Sequence, residues 1–303
     1  MFKSYLQSES WKKFKEGQGW LGKSFVGHVG LKRNLPFGQS LWYLPELPWE
    51  ETLKKLPELV SELRQESATF ARLEFLIPFE PERASLLIKL GLIKSFEDVQ
   101  PEYRQWVSLD KSEEKILEQM KPKGRYNIKV AERHNLKVER GTEESLVRRF
   151  FPLYEKTAER SDFQGRCLKY FLDLVKIIAE DKVGEVVVVS KDGQDLAAGI
   201  FIYYEGLASY LYGGSGGDRA LMGPYLMHWE VIKEAKKQKC LIYDLLAVAP
   251  PETENHPYAG LTRFKTQFGG ETIRMLGSWD LINRPLWYKM YRFIERRRRK
   301  VTS

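Results

Sequence analysis

Residues 196–230 read LAAGIFIYYEGLASYLYGGSGGDRALMGPYLMHWE and decide the fold. Apolar and aromatic segments lie on both sides of Glu205-Gly206, which predicts a β-hairpin. The glycines of 213–217 then predict an open loop, and Pro224 suits the first turn of a helix, where its missing N–H is harmless. Such a loop could cradle an anion. It spells neither G-x-x-x-x-G-K-[ST] nor G-x-G-x-x-G, and a flexible hairpin-to-helix connection explains the glycines equally well.

Helix and strand patterns alternate on both sides of this stretch. The segment 50–66 has the periodicity of an amphipathic helix, and 70–77 follows it as a strand. After residue 138 the mixed pattern restarts. The remaining predicted elements of this half are helices at 143–161, 170–179, 227–239, 261–267 and 285–299, and strands at 185–190, 241–246 and 272–279. The pattern therefore predicts an α/β (α+β) fold with mixed sheets flanked by helices.

Composition limits the class of protein. With 303 residues, 43% of them hydrophobic, the chain is long enough for two domains with their own cores. Cys167 and Cys240 form no C-x-x-C pair, which favours a reducing compartment. Apolar runs such as 197–204 fall short of the roughly 20 residues of a membrane span, and the first residues lack the apolar core of a signal peptide. We expect a cytoplasmic protein.

The formal net charge of +8 favours an acidic or phosphorylated partner. Part of it lies in the run Arg296–Lys300, for which a solvated end, an anionic membrane and RNA all stay open. Residues 121–129 read as a basic, aromatic connector, in which Arg125 and Tyr126 offer a planar donor and a stacking surface for a nucleotide. A charged linker is the alternative. Lys32, expected between two strands, is either an anion ligand or a solvated turn charge.

Two kinds of catalytic site were weighed on motif grounds. The four histidines are scattered without H-E-x-x-H or paired cysteines, so we predict no metal site. Residues 213–217 fit G-x-S-x-G, and Ser215, Asp244 and His256 follow in the order of a serine hydrolase. A nucleophile elbow turns directly into its helix, however, whereas several residues precede Pro224 here. The hydrolase stays an alternative.

Motifs along nearly the whole chain resemble the Fem family of aminoacyltransferases, which build the peptide branches of bacterial peptidoglycan precursors from aminoacyl-tRNA. Residues 121–133 look like that family's K-x-R-Y-N-I-(R/K)-x-A-x-(K/R) signature. The other matching stretches, in the family's order, are 5-YLQS-8 with Trp11 and Phe14, Gln100-Pro101, 210-YLYGGS-215, 223-GPYL-226 with Trp229-Glu230, Tyr243-Asp244 and 264-FKTQFGG-270.

The resemblance implies two tandem GNAT-like domains, 1–110 and 111–279, with the C-terminal helix 280–303 packing back on the first and an active channel at the domain junction. It implies aminoacyl-tRNA as co-substrate without a further cofactor, and UDP-MurNAc-pentapeptide or lipid II as acceptor. The chain looks like the compact type, without a coiled-coil arm. We expect a monomer, cytoplasmic or peripheral at the inner face of the membrane, with Arg296–Lys300 touching anionic lipid. The amino acid transferred stays open.

The resemblance also assigns roles to single residues. Lys265 would supply a partly desolvated cation for a tetrahedral oxyanion or terminal ribose, with a snorkelling surface lysine as the alternative. Tyr212 would carry a proton or contact a substrate hydroxyl. The other predicted substrate contacts are Lys32 and Arg160 on a diphosphate, and Arg125, Tyr126 and Phe264.

Two features qualify these assignments. Residues 157–163 read TAERSDF, where members of the family more often read T-x-x-R-D-G-F, which bears on Arg160. An acyl-CoA-dependent N-acyltransferase also stays an alternative, although the chain has no clear Q/R-x-x-G-x-G/A loop for a pyrophosphate. Tyr210 and Tyr243 are expected to pack.

Overall fold

The computed structural model describes residues 2–161, 163–253 and 255–302, with side chains through Arg297. The chain forms two compact units. The first unit is Lys3–Glu102 together with the chain from Arg274 onward, and the second unit is Phe2 with Tyr103–Ile273. Among the described residues, no helix is both long enough and apolar enough to cross a membrane.

The helices and strands follow one another in mixed order along the chain. They are α1 Glu9–Gly17, β1 Leu21–Phe25, β2 His28–Asn34, β3 Ser40–Leu47, α2 Trp49–Gln65, β4 Phe70–Pro78, α3 Pro81–Lys89, β5 Leu92–Lys94, β6 Tyr103–Ser108, α4 Glu113–Gln119, α5 Pro122–Arg133, β7 Lys137–Gly141, α6 Glu144–Arg160, α7 Leu168–Asp181, β8 Gly184–Lys191, β9 Gln194–Tyr204, β10 Leu207–Ser215, α8 Gly223–Lys237, β11 Ile242–Ala247, α9 Ala259–Lys265, β12 Glu271–Ile282 and α10 Pro285–Thr302. Short 3₁₀ turns occur at Tyr5–Gln7, Arg219–Leu221 and Thr266–Phe268.

The first unit is built on a mixed sheet in the order β1-β2-β3-β4-β12, with β5 also paired to β12. The pair β3–β4 is parallel and its neighbours are antiparallel. Helix α2 covers this sheet because Leu56, Leu59 and Leu63 recur at helical spacing and are fully buried in one core cluster with strand residues. The amphipathic helix predicted over 50–66 is confirmed within a residue at each end.

The second unit is built on a mixed sheet in the order β6-β11-β10-β9-β8-β7, in which β10–β11 is parallel and the other pairs are antiparallel. Val187, Val189 and Phe201 of this sheet share one core cluster with side chains of α5 and α8. The predicted hairpin is confirmed as β9–β10, and Pro224 lies in the first turn of α8 as expected. The predicted fold class, mixed sheets flanked by helices, is likewise confirmed.

The predicted glycine loop is wrong for its first half. Gly213 and Gly214 continue β10 and pair with Gly199 and Ala198 of β9. A Cβ on Gly213 would lie 1.7 Å from the Tyr210 hydroxyl, and one on Gly214 would lie 2.3 Å from the backbone of Leu153 in α6. These glycines therefore allow close packing on the strand instead of forming an open anion cradle.

Two other predicted segments are corrected. The connector predicted over 121–129 is the first part of helix α5, because Pro122 occupies the first turn, where a proline is tolerated. The expected position of Lys32 between two strands is also wrong, because Val26 and Gly27 turn the chain earlier, with φ values of 49° and 88°, and β2 begins at His28. Lys32 consequently lies inside β2, where it is half-buried, and not in a turn.

Candidate active site

Lys265, the last residue of α9, is buried inside the second unit with 3% of its surface exposed. Its Nζ donates a hydrogen bond of 2.8 Å to the carbonyl oxygen of Ala247, the last residue of β11. The same nitrogen lies 5.8 Å from the centroid of the Tyr210 ring. The alternative of a snorkelling surface lysine is therefore wrong.

The surroundings of Lys265 make its proton labile at neutral pH. Burial lowers the pKa of Lys265 to about 7, and the negative charge of Asp244 opposes this effect only in part. Asp244 is itself fully buried and receives a 3.0 Å ion-pair hydrogen bond from Arg104 and a 2.7 Å hydrogen bond from the Leu246 amide. Because Asp244 is already bound by these two groups, it cannot fully stabilise the Lys265 ammonium. A lysine that titrates near neutral pH is a candidate functional group.

His228 of α8 adds a neutral, buried imidazole to this region. Its Nδ1 lies 2.6 Å from the Tyr243 hydroxyl, and its ring meets the Tyr210 ring edge-on at 4.6 Å. Burial, and then the positive charge of Lys265, lower the pKa of His228 to about 3, so the ring is uncharged at physiological pH. Among the described residues its Nε2 has no hydrogen-bond partner.

The two longest sequence motifs dock against each other in this unit. A Cβ on Gly124 of α5 would lie 2.3 Å from the carbonyl oxygen of Gln267, and the Lys121 amide donates to that oxygen over 3.1 Å. Asn127, which is buried, forms a hydrogen bond with the Tyr225 side chain of α8. The basic motif of α5 therefore supports the turn that follows Lys265.

Three predicted substrate contacts lie around these motifs. Arg125 donates to the carbonyl oxygens of Glu118, over 3.0 Å, and Met120, so its guanidinium holds the end of α4. Tyr126 is 62% exposed. Phe264 is half-buried beside Lys265, and its ring meets that of Tyr225 edge-on at 5.1 Å.

Tyr212 lies among the aromatic side chains of α6 and α7. Its hydroxyl is 3.1 Å from that of Tyr170, and its ring meets that of Phe171 edge-on at 5.1 Å. Leu211 is an extra residue in β10, because Tyr210 pairs with Phe201 while Tyr212 pairs with the adjacent Ile200. Such a bulge reverses the usual alternation of side chains. Tyr210, two residues earlier, is thus the tyrosine of this strand that faces Lys265.

The two predicted phosphate ligands, Arg160 and Lys32, belong to different units. Arg160 is exposed at the end of α6, where it donates to Thr157 over 3.4 Å. Asp162, which is part of the motif that departs from the family, lies outside the described residues. Lys32 belongs to the first unit, with its Nζ 5.7 Å from the centroid of the Trp42 ring.

The geometry does not favour a serine hydrolase. Asp244 is bound by Arg104, and the Nδ1 of His256 accepts a 3.0 Å hydrogen bond from the Tyr258 amide. The predicted triad therefore lacks an acid free to orient its histidine. Among residues 2–161, 163–253 and 255–302, no three His, Cys, Asp or Glu side chains come together as a metal site would need.

Sequence reasoning missed several members of this site. Tyr210 and Tyr243 were expected only to pack, and His228 was one of the scattered histidines. The signal that could have found Asn127 and Asp244 is their position inside the motifs, since both are buried polar residues that hold other groups in place.

A model of the FemAB family matches residues 90–190 and 179–296, and the chain therefore belongs to the FemAB family. This confirms the resemblance seen in the motifs.

The chain is 22% identical to a lipid II:glycine glycyltransferase of Staphylococcus epidermidis over 378 aligned residues, covering 93% of this chain and 89% of the relative. It is 26% identical to the UDP-N-acetylmuramoylpentapeptide-lysine N(6)-alanyltransferase of Weissella viridescens over 136 residues, covering 45% and 40% of the two chains. The crystal structure of FemX shares the fold, with a TM-score of 0.82 and 18% identity over 95% of this chain and 94% of that one.

Proposed function

We propose that this chain is an aminoacyltransferase, which moves an amino acid from aminoacyl-tRNA to the stem peptide of a peptidoglycan precursor, UDP-MurNAc-pentapeptide or lipid II. Membership of the FemAB family and the names of the two relatives support the reaction class. The observation that carries the proposal is the buried Lys265, whose pKa is lowered to about 7. It lies in a stretch that matches the family's motif and beside aromatic side chains.

The chemistry needs a group with these properties. A neutral amine of the acceptor attacks the ester carbonyl of aminoacyl-tRNA and forms a tetrahedral oxyanion. The bond to the ribose oxygen then breaks, and that oxygen must take a proton. The Lys265 ammonium would stabilise the oxyanion and supply this proton, and both effects are stronger in a desolvated site. The attacking nitrogen loses one proton when the amide forms, and a pKa near the working pH lets the neutral Lys265 take up that proton, so the lysine is protonated again at the end.

The other predicted residues keep supporting roles in this proposal. Tyr212 would carry a proton with the help of the Tyr170 hydroxyl, which lies 3.1 Å away. The rings of Tyr126 and Phe264 and the charge of Arg125 would contact the substrates, and Lys32 and Arg160 would each bind phosphate. The basic run Arg296–Lys300, of which the side chains beyond Arg297 lie outside the described part, would touch an anionic membrane.

One assay tests donor and acceptor together. The protein is incubated with a mixture of charged tRNAs and either UDP-MurNAc-pentapeptide or lipid II, and the mass of the acceptor is measured. We expect a gain equal to one or more aminoacyl residues, which disappears with uncharged tRNA and falls sharply with Lys265→Met. An unchanged acceptor mass with every charged tRNA, or a gain that requires acyl-CoA instead, would refute the proposal.

A further inference from the structure

Helix α10 has a second apolar face, directed away from the protein. Its inner face is anchored: the Tyr288 hydroxyl donates to Asp280 over 2.8 Å, and Arg72 donates to the buried Glu295 over 3.3 Å. Leu286, Met290 and Phe293 recur at spacings of three and four residues on the opposite side, so they form one stripe. Leu286 is 81% exposed and Phe293 is 54% exposed.

The turn between β2 and β3 extends this stripe. Phe37 at its tip is 72% exposed and has a φ of 59°, in the left-handed region that non-glycine residues adopt at an energetic cost. Its ring stacks on that of Trp287, with centroids 6.3 Å apart and planes inclined by 27°. We call these five residues, Phe37, Leu286, Trp287, Met290 and Phe293, the outer apolar face. An apolar ring held in a strained turn and in solvent indicates a surface that contacts another body.

Cationic side chains border the outer apolar face. Arg284, Lys289 and Arg296 are exposed on α10 and just before it. Arg297 continues the stripe one turn beyond Phe293, with its guanidinium 4.4 Å from the centroid of that ring. The acidic residue of α10, Glu295, is buried on the inner face. The charge presented around the apolar stripe is thus positive.

This combination matches an anionic membrane better than RNA. A helix that carries Trp, Phe and Leu on one face and cationic residues beside them lies in the boundary between headgroups and acyl chains of anionic lipid. RNA would use the arginines and the aromatic rings, but it offers no apolar phase to exposed aliphatic side chains such as Leu286 and Met290. We propose that the outer apolar face docks the protein on an anionic lipid surface. The part of this inference that concerns access to a lipid-linked acceptor rests on the proposed function.

Vesicle sedimentation of the full chain tests the docking. We expect binding to vesicles that contain phosphatidylglycerol and much weaker binding to phosphatidylcholine alone. The double variant Leu286→Ser/Phe293→Ser should bind about tenfold more weakly, because it removes the two most exposed apolar side chains of the stripe. Ile88→Ser is the matched control, since Ile88 is 60% exposed on α3 of the same unit and lies outside the outer apolar face. It should bind like the wild type.

The charged rim is tested separately. Arg296→Ala/Arg297→Ala should weaken binding to the phosphatidylglycerol vesicles and flatten its dependence on salt. Three results would overturn the inference: wild-type protein that does not sediment with these vesicles, equal losses for the double variant and Ile88→Ser, or variants that lose affinity for tRNA while they keep their affinity for vesicles.

Transfer rates to a soluble and to a lipid-linked acceptor distinguish a failure of the docking face from a failure of the proposed function. The Leu286→Ser/Phe293→Ser variant should transfer to soluble UDP-MurNAc-pentapeptide at the wild-type rate and to lipid II in vesicles about tenfold more slowly. A wild type that transfers to neither acceptor refutes the proposed function, whatever its vesicle binding. A wild type that transfers normally, with a double variant that still binds vesicles normally, refutes the docking face alone.

Discussion

Lys265 places its ammonium group in a buried position, where water cannot solvate the charge. Removing an ammonium from water is costly unless a partner compensates it, and the usual response is a lowered pKa. Asp244, whose charge opposes this effect, is bound by Arg104. A residue whose burial lowers stability at neutral pH is typical of a functional site and atypical of a structural core.

Substituting Lys265 should therefore change how stability depends on pH. Between about pH 7 and the pKa of an unfolded lysine near 10.4, the unfolded state binds more protons at this residue than the folded state, so its contribution to stability rises with pH. Lys265→Met removes that contribution. We expect the unfolding free energy of the variant minus that of the wild type to decrease by about 4 kcal/mol from about pH 7 to about pH 10.

Urea unfolding at several pH values measures this difference, and taking the difference cancels the titration of other groups. Lys129→Met is the control, because Lys129 is exposed on α5. Its difference from the wild type should be nearly independent of pH. A flat profile for Lys265→Met as well would mean that Lys265 titrates in the folded protein as it does in water.

The two tyrosines of the bulge form a matched pair of variants. Tyr210 faces Lys265, whereas the Tyr212 hydroxyl is paired with Tyr170. We expect Tyr212→Phe to lower kcat more than Tyr210→Phe, because Tyr212 has the proposed proton-carrying hydroxyl and phenylalanine keeps the ring of Tyr210 beside Lys265. Tyr212→Phe should also lower the unfolding free energy by about 1 kcal/mol through its lost hydrogen bond. Steady-state kinetics and urea unfolding of both variants provide the comparison. A larger loss of kcat in Tyr210→Phe would count against the proton-carrying role of Tyr212.

The sequence motif predicts a functional role for Lys265 but not how deeply the residue is buried. The burial of Lys265 depends on Ala247, Tyr210 and Asp244, which come from other elements of the second unit. No local pattern around residues 264–270 carries that information, so the sequence left a surface lysine open as the alternative.

In strand β10, two glycines allow close packing of a tyrosine ring and of helix α6 against the strand. The strand runs from Leu207 to Ser215 and has a bulge at Leu211. Just before its last residue, Gly213 packs against Tyr210 and Gly214 packs against α6. Side chains larger than hydrogen would separate the strand from α6. The bulge and the glycines together determine which tyrosine points to which face.

Alanine substitutions should distinguish these glycines. Gly214→Ala places a Cβ against the backbone of Leu153, which cannot move without shifting α6, so we expect a loss of about 1 to 3 kcal/mol in unfolding free energy. Gly213→Ala clashes with the Tyr210 hydroxyl and should displace that ring, lowering kcat as well. Gly260→Ala is the control, since nothing lies within 4 Å of its Cβ in α9. Thermal unfolding of the three variants tests whether Gly214→Ala destabilises the protein more than Gly260→Ala. Equal losses of stability in these two variants would contradict the packing role of Gly214.

Helices and strands with a periodic apolar pattern could be predicted from the sequence, whereas the bulge at Leu211 and the packing role of Gly213 and Gly214 could not. Helix α2 shows its buried face in the spacing of its leucines, and the hairpin shows its strands in two aromatic segments. Glycines are rare in strands and common in loops, so a pattern-based reading assigned 213–217 to a loop. Likewise, residues 121–129 were predicted as a basic connector, although Pro122 lies in the first turn of α5, where a proline is tolerated.

For the whole molecule, the repeated α/β pattern predicts the fold class but not the order of strands. Strand β6 pairs with β11, and their partners Val107 and Tyr243 are far apart in the sequence. Strand β12, near the end of the chain, pairs with β4 and β5 of the first unit. Such pairings bring together strands that are separated by long stretches of chain, and the local periodicity of the sequence carries no information about them.

In the proposed mechanism, the protonated and buried Lys265 drives aminoacyl transfer. The most direct test is the single-turnover transfer rate from aminoacyl-tRNA to UDP-MurNAc-pentapeptide at limiting acceptor, for wild type and Lys265→Met, between about pH 6 and about pH 8. Dividing the wild-type rate by the rate of Lys265→Met cancels the effect of the ionisation of the acceptor amine, which is the same for both proteins. We predict a ratio of about 10² to 10³ at the acidic end, which falls as pH rises through about 7 because the ammonium is lost. A ratio near one throughout, or one that rises with pH, would contradict this account.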